Sequence, residues 1–159
     1  MACEKCGRDT GCVIDDSVNE IAAKAKVADG LVFGSPVYYA GASGQLCAFM
    51  DRLFYAYGAK LKGKPAAAVV SCRRGGATAA FDRINKYFSI NQMPVVSSQY
   101  WNMVHGNTPG EVKRDLEGLQ IMRTLGSNMA WLLKCIEAGK KAGIEMPENE
   151  PRIVTNFIR

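Results

Sequence analysis

Leu31-Val32-Phe33-Gly34-Ser35-Pro36-Val37-Tyr38-Tyr39-Ala40-Gly41-Ala42-Ser43-Gly44 is the stretch on which the fold turns. It opens with three apolar residues in a row, without the polar alternation of a strand that has one wet face. Leu31 to Phe33 therefore reads as a short strand of a parallel sheet covered by helices on both sides. A glycine-rich loop from Gly34 to Gly44 follows. Behind it Leu46, Phe49, Met50, Leu53 and Tyr57 recur at helical spacing, with Ser43 placed as an N-cap. Strand, loop and helix in that order form the unit of an α/β fold.

The same alternation extends in both directions. Upstream, Val18, Ile21, Ala22 and Ala25 mark one face of a helix that begins after Asp16, with Ser17 and Glu20 at capping-box spacing and Asp29-Gly30 as its break. Downstream, Gly63-Lys64-Pro65 resets the chain, and Ala66 to Val70 reads as a second buried strand made of small residues. Ala80, Phe81, Ile84, Tyr87 and Phe88 trace the next helix, and Pro94-Val95-Val96 reads as a third strand. A polar, aromatic loop over residues 98–108 leads to Thr108-Pro109-Gly110-Glu111, which has the residues that open a helix. The apolar pattern Leu116, Leu119, Met122, Leu125, Met129, Leu132, Leu133, Ile136 predicts one long helix from there to the Gly139–Gly143 region. The predicted class is α/β, a doubly wound parallel sheet in a single domain over residues 1–159. The tail from Ile144 to Arg159 is expected to pack against a neighbour.

Composition narrows the functional classes. A chain of 159 residues that is 48% hydrophobic and 22% charged supports one domain with a real core and argues against disorder. Apolar runs fall short of the roughly 18 to 20 residues of a membrane span, and the amino terminus lacks the layout of a signal peptide, so a cytoplasmic location is the expectation. The net charge of +5 comes from Lys and Arg spread along the whole chain, which predicts no nucleic-acid partner and suits small anionic molecules equally well. Cys47, Cys72 and Cys135 stand singly in apolar segments and read as packing residues.

In an open parallel sheet, ligands bind beyond the carboxyl ends of the strands, which directs attention to three loops. Gly34 to Gly44 offers glycines for close approach and two tyrosine faces for a flat ligand, although an ordinary crossover loop reads the same way. Ser71-Cys72-Arg73-Arg74-Gly75-Gly76 places two arginines beside two glycines, to receive negative charge or to form a solvated basic turn. Residues 98–106 hold His105, the single histidine, whose imidazole would donate a proton to a reduced acceptor, hydrogen-bond a ligand or serve structure alone. Tyr100 and Trp101 beside it are expected to cover a ligand or a subunit interface.

Gly34 to Tyr39, followed by Ser43-Gly44-Gln45-Leu46 and Phe49-Met50-Asp51-Arg52, resembles the NADPH-dependent FMN reductase and iron-sulfur flavoprotein group of flavodoxin-like proteins, over roughly Cys3 to Trp131. The resemblance implies FMN as cofactor, with Ser35, Pro36, Val37, Tyr38, Tyr39, Gly41 and Ser43 on one side and Cys72, Arg73, Arg74, Gly75 and Gly76 on the other. It implies an oxidoreductase that passes electrons from NAD(P)H through flavin to a quinone, an iron-sulfur centre or another small acceptor, in a homo-oligomer. An electron-transfer module without a nucleotide substrate, or a cofactor-free fragment, stands as the alternative.

Cys3, Cys6 and Cys12 form C-x-x-C-x5-C, with Gly7 and Gly11 freeing the loop to wrap a metal such as zinc or an iron-sulfur cluster. Three thiolates are one short of a closed four-cysteine site. The group it resembles places four cysteines here, and the first would fall one position before Met1. Its fold also begins with a strand, a phosphate loop, a helix and a second strand, so the expectation is that the first βαβ portion is missing and Met1 is an internal methionine of a longer parent. The strand at Leu31 would then carry an open, apolar edge prone to association.

Overall fold

The computed structural model describes residues 3–6 and 11–157. In chain order the elements are α1 (Ser17–Val27), β1 (Leu31–Tyr38), β2 (Gly41–Ala42), α2 (Gly44–Tyr57), a short 3-10 turn (Gly58–Lys60), β3 (Ala66–Cys72), α3 (Ala77–Ile90), β4 (Met103–His105), α4 (Pro109–Val112) and α5 (Leu116–Lys141). The sheet order is β2-β1-β3-β4. β1 and β3 pair in parallel from Leu31 opposite Ala66 to Pro36 opposite Ser71, and β3 pairs in parallel with β4 from Val70 opposite Met103 to Cys72 opposite His105. On its other side β1 meets β2 alone among the described residues, at Val37 and Tyr38, and Val32 is left exposed.

The small residues of β3 let helices close on both faces. Ala66, Ala68 and Val70 face Phe33 of β1 and a cluster drawn from α1, α2 and α3, in which Phe33 lies 5.6 Å from the Phe54 ring and 5.5 Å from the Phe88 ring. Phe88, Leu53 and Met50 are fully buried there, each stabilising by about 1.5–3 kcal/mol. Ala67 on the opposite face packs with Val96 and with Leu125 of α5, flanked by Val69, Met129 and Leu132. Helices on both faces of a parallel sheet make the doubly wound α/β class that the sequence predicts.

Several boundaries differ from expectation. The predicted loop at Gly34 is strand as far as Tyr38, then a two-residue turn at Tyr39-Ala40 and the return strand β2. Helix α1 is capped by Asp16, which accepts from the Val18 N–H at 3.0 Å, and not through a Ser17–Glu20 box. The long helix predicted from Thr108 is two helices: Asp115 stands between them in a non-helical conformation and caps α5, accepting from Gly118 N–H at 2.9 Å. An aspartate competes for backbone donors in this way and favours a cap over a helix interior. Cys135 is exposed, so it is not the packing residue expected.

The predicted third strand at Pro94–Val96 is only a bridge at Val95, opposite Ala66, and the strand proper forms at 103–105 inside the predicted loop. The line of pairing is interrupted by an excursion over residues 97–101, and the buried side chain of Asn102 fills the gap, its amide donating to Ala68 O at 3.1 Å. That side-chain donor does what a strand N–H would have done. The excursion is fastened to α5 by Ser98 Oγ donating to Ile121 O at 2.7 Å and Asn128 Nδ2 donating to Ser97 O at 2.8 Å. The tail folds back on its own chain, where Lys62 donates to Pro147 O and to Asn149 and Gln92 exchanges amide bonds with Asn149. No helix among the described residues is long and apolar enough to cross a membrane.

Candidate functional site

The carboxyl ends of β1, β3 and β4 lie side by side, so the three loops named from sequence are brought to one edge of the sheet. β1 ends in a two-residue hairpin, Val37 opposite Ala42 and Tyr38 opposite Gly41. Its turn residues Tyr39 and Ala40 have φ of +48° and +58°. Such a turn suits the right-handed twist of the strands but favours Asn-Gly; an L side chain there carries strain of about 1–2 kcal/mol per residue. The turn holds Tyr39 fully exposed and Tyr38 largely so.

The hairpin is fixed from below and from the side. Ser35 is buried, and its hydroxyl donates to Pro36 O at 2.7 Å while accepting from Ser43 N–H at 2.8 Å. Ser43 in turn caps α2, accepting from Leu46 N–H at 3.3 Å. Both serines are therefore structural supports whose hydroxyls are already in use. From the side comes Gly76, with φ +89°, where an added Cβ would stand 2.5 Å from Ala40 Cα. Only glycine lets the β3–α3 loop approach the hairpin so closely. Gly75 before it faces open space, and α3 begins at Gly76 without a side-chain cap. The first N–H groups of α3 are thus left for a ligand. Arg73 and Arg74 are exposed, with no side-chain hydrogen bond or ion pair among the described residues. Cys72 is buried in the apolar cluster, which leaves its backbone, not its thiol, at the edge.

His105 closes the edge beyond Cys72. Asp115 Oδ2 accepts from its backbone N–H at 2.6 Å and lies 3.8 Å from its Nδ1. The N–H donors of Gly118 and His105 hold the Asp115 carboxyl below its usual range. Tyr100 and Trp101 are half-exposed and contact each other, ring centroids 5.0 Å apart. Two cavities lie away from this edge. One of about 380 Å³ is lined by Asp51, Arg83, Lys86 and Tyr87 between α2 and α3, where burial and the nearby Asp51 push the Tyr87 hydroxyl up to about 12.

The other, of about 360 Å³, gathers the sequence-predicted cysteines: Cys3, Cys6 and Cys12 line it with Asp51, Arg52 and Tyr55 of α2. The segment leaving it is tightly docked. Gly11 sits at φ +74°, where a Cβ would stand 1.7 Å from the Tyr57 hydroxyl. Asn19 of α1 accepts from Cys12 N–H at 3.1 Å and donates to Cys12 O at 2.9 Å. The Arg52 guanidinium donates to Cys12 Sγ at 3.2 Å, which holds that thiol below its ordinary range, whereas burial pushes the Cys6 thiol up. Gly7, the other expected hinge of the cysteine loop, lies outside the described residues, and among the described residues no three His, Cys, Asp or Glu side chains are assembled to hold an ion. Arg52 is the residue that sequence reasoning missed: its motif was legible, its contact with Cys12, 40 positions away, was not.

Residues 2–108 match the NADPH-dependent FMN reductase family. An iron-sulfur flavoprotein of Methanocaldococcus jannaschii is 37% identical over 145 residues, covering 86% of this chain and 75% of the relative. An iron-sulfur flavoprotein of Methanosarcina thermophila is 31% identical over 143 residues, covering 87% and 74%. Among solved structures, a flavodoxin from the domain Archaea superposes with a TM-score of 0.52 at 22% identity, covering 71% of each chain.

Proposed function

The chain belongs to the NADPH-dependent FMN reductase family, a family of flavin-dependent oxidoreductases with a flavodoxin-like fold, and from that premise we propose that it holds the ring of FMN between the Tyr39-Ala40 hairpin and the Arg73–Gly76 loop. The observation that carries this reading is the close approach of Gly76 to Ala40, which makes one recess of two loops. The residues suit a flat, partly anionic ligand. Open space over Gly75 admits a planar group, and the uncapped start of α3 offers N–H donors to its carbonyl oxygens. Tyr38 and Tyr39 supply aromatic faces, with Pro36, Val37 and Gly41 shaping the floor.

Bound FMN would supply the redox chemistry, accepting a hydride equivalent from NAD(P)H and releasing electrons to a small-molecule acceptor. Arg73 and Arg74, without a side-chain hydrogen bond or ion pair among the described residues, offset the negative charge that reduction places on the ligand or meet a nucleotide phosphate. His105, held through its backbone by Asp115, stands at the end of β4, where a proton can be passed to a reduced acceptor.

The relatives' names raise an iron-sulfur group as well. Cys3, Cys6 and Cys12 are the residues the sequence offers for one and they line a common cavity, but no three His, Cys, Asp or Glu side chains among the described residues are grouped to hold an ion, so the residues present do not fit the group.

The test is FMN titration of protein purified anaerobically, followed by flavin fluorescence quenching, and then NADPH oxidation by the loaded protein. Saturable micromolar binding that is weakened tenfold or more by the double change Arg73→Gln/Arg74→Gln supports the reading. Absence of binding at millimolar FMN would sink it.

A further inference from the structure

His105 is the single histidine of the chain, and the structure fixes its main chain while leaving its ring half-exposed. It is the last residue of β4, paired with Cys72, and Gly106 after it donates to Cys72 O at 3.1 Å. Gly106 lies so close to α4 that a Cβ would stand 2.6 Å from Val112 N. Asp115 approaches from the break between α4 and α5. Its Oδ1 accepts from Gly118 N–H at 2.9 Å, and its Oδ2 accepts from His105 N–H at 2.6 Å. A Cβ on Gly118 would collide with that Oδ2 and stand 2.9 Å from Val104 Cγ1, so the glycine is what lets the carboxylate lie against β4. The carboxylate is more buried than the ring, 18% against 44% exposed. The Gly118 and His105 N–H groups hold it below the usual range, which keeps it an acceptor.

The same Oδ2 lies 3.8 Å from His105 Nδ1. That is longer than a hydrogen bond, but the torsion that turns an imidazole is broad, and bonds of this kind tighten when a site is filled. Glu111, the carboxylate of neighbouring α4, is engaged elsewhere, accepting from Asn107 N–H at 2.6 Å. Nδ1 thus faces a fixed anion, and the partner of one ring nitrogen decides which nitrogen carries the proton. We propose that Asp115 is a positioning residue for His105: it holds the neutral imidazole in its Nδ1–H form and leaves Nε2 as the atom that exchanges protons at the carboxyl edge of the sheet. When the ring is charged, its Nε2–H bond breaks, an O–H bond forms on an oxygen anion of the reduced acceptor, and Nδ1–H stays with Asp115. No electron passes through the ring. The acceptor in this step rests on the flavin reading above; the tautomer does not.

Long-range proton–nitrogen NMR on the untagged full chain tests the tautomer directly, because one histidine gives one imidazole signal set. At about pH 9, where an imidazole is neutral, wild-type protein is expected to carry the proton on Nδ1. Asp115→Ser keeps a capping hydroxyl for α5 but is too short to meet the ring, and should move the proton to Nε2, the position free histidine prefers. Asp115→Asn has one oxygen for two jobs; with that oxygen capping α5, its NH2 faces Nδ1 and should also drive the proton to Nε2. Glu111→Gln loosens the same loop without a change beside Nδ1 and should keep the wild-type signals. A wild-type proton on Nε2 overturns the proposal, as does Nδ1–H retained in Asp115→Ser, or a Glu111→Gln protein that gives the Asp115→Ser spectrum. If Asp115→Ser fails to fold by circular dichroism, Asp115→Asn decides by the same criterion. With FMN-loaded protein and NADPH, the ratio of benzoquinone to ferricyanide reduction should fall about tenfold or more in Asp115→Asn, since the quinone takes up protons on reduction and the iron complex does not. An unchanged ratio overturns the proton exchange at Nε2. Loaded protein inactive with both acceptors would count against the flavin reading, and the spectrum still decides the tautomer.

Discussion

Gly76 and Gly11 do the same job in two different regions, and the difference between them separates the two sites. Each has positive φ, +89° and +74°, and each admits a close approach that no side chain would allow. At Gly76 the obstacle to a Cβ is the backbone of Ala40, 2.5 Å away; at Gly11 it is the tip of the Tyr57 side chain, 1.7 Å away. Backbone cannot give way without moving the hairpin. A tyrosine tip can swing aside, at the expense of the 2.6 Å hydrogen bond from Tyr57 to Asn19. The recess proposed for flavin is therefore built from main-chain geometry, and the cysteine segment is held by side-chain bonds.

Gly76→Ala tests the first half of that contrast and should have the largest effect. Left-handed strain and overpacking together are expected to lower stability by about 2–4 kcal/mol, with loss of measurable FMN binding at temperatures where the protein remains folded. Gly11→Ala should cost about 1.5–3 kcal/mol, the same strain plus one lost hydrogen bond, and leave FMN affinity within twofold of wild type. Chemical denaturation and fluorescence titration check both. If Gly11→Ala weakens FMN as much as Gly76→Ala does, α2 couples the two regions and the contrast fails.

Acid should separate them as well. The Asp16 carboxyl is held below its ordinary range chiefly by Arg52. A depressed carboxylate stabilises the fold above its unfolded value, near 3.9, and that contribution is lost as pH falls through the lower folded value. Below about pH 4, amide chemical shifts of Cys12 and Ile14 should therefore move toward those of a released segment, while those of Val37 and Ala42 stay put. Asp16→Asn keeps a capping side chain but removes the charge, so it should show the released shifts already at neutral pH. Movement of both groups at one midpoint would instead indicate global acid unfolding.

Much of this architecture was legible because it rests on apolar periodicity. The uninterrupted run at Leu31 and the small residues at Ala66 to Val70 announce strands buried on both faces, and Ser43 caps α2 as read. What was not legible depends on contacts distant in sequence. Ser35-Pro36 looks like a loop, yet it extends β1 because β3 runs beside it as far as Ser71. Nothing local shows that Asn102 would replace a strand donor, so the last strand was placed eight residues early, at Val95 and not at Met103. At the recess, residue types singled out two loops that the fold brings together, but the role of Gly76 depends on where Ala40 lies in space. The Arg52 clamp needed α1 and α2 docked before it could be seen.

The smallest effect lies in the hairpin turn, where stability and function should pull apart. Tyr39 and Ala40 both occupy the left-handed region, while a hairpin selected for stability alone would place Asn-Gly there. Ala40→Gly removes one of the two strained positions. It should stabilise the protein by about 0.5–1 kcal/mol after the added freedom of the unfolded chain is counted, with FMN affinity little changed because the backbone path is kept. Tyr39→Asn relieves the other position but deletes an exposed aromatic face. Stacking of that kind contributes about 0.5–1.5 kcal/mol, so FMN binding should weaken roughly three- to tenfold in a protein no less stable than wild type. Opposite signs for the two readouts at Tyr39 would identify the strain as the means of holding that ring outward; a loss of stability in Ala40→Gly would show that the turn is not strained and that main-chain geometry does less at this edge than the Gly76 contact suggests.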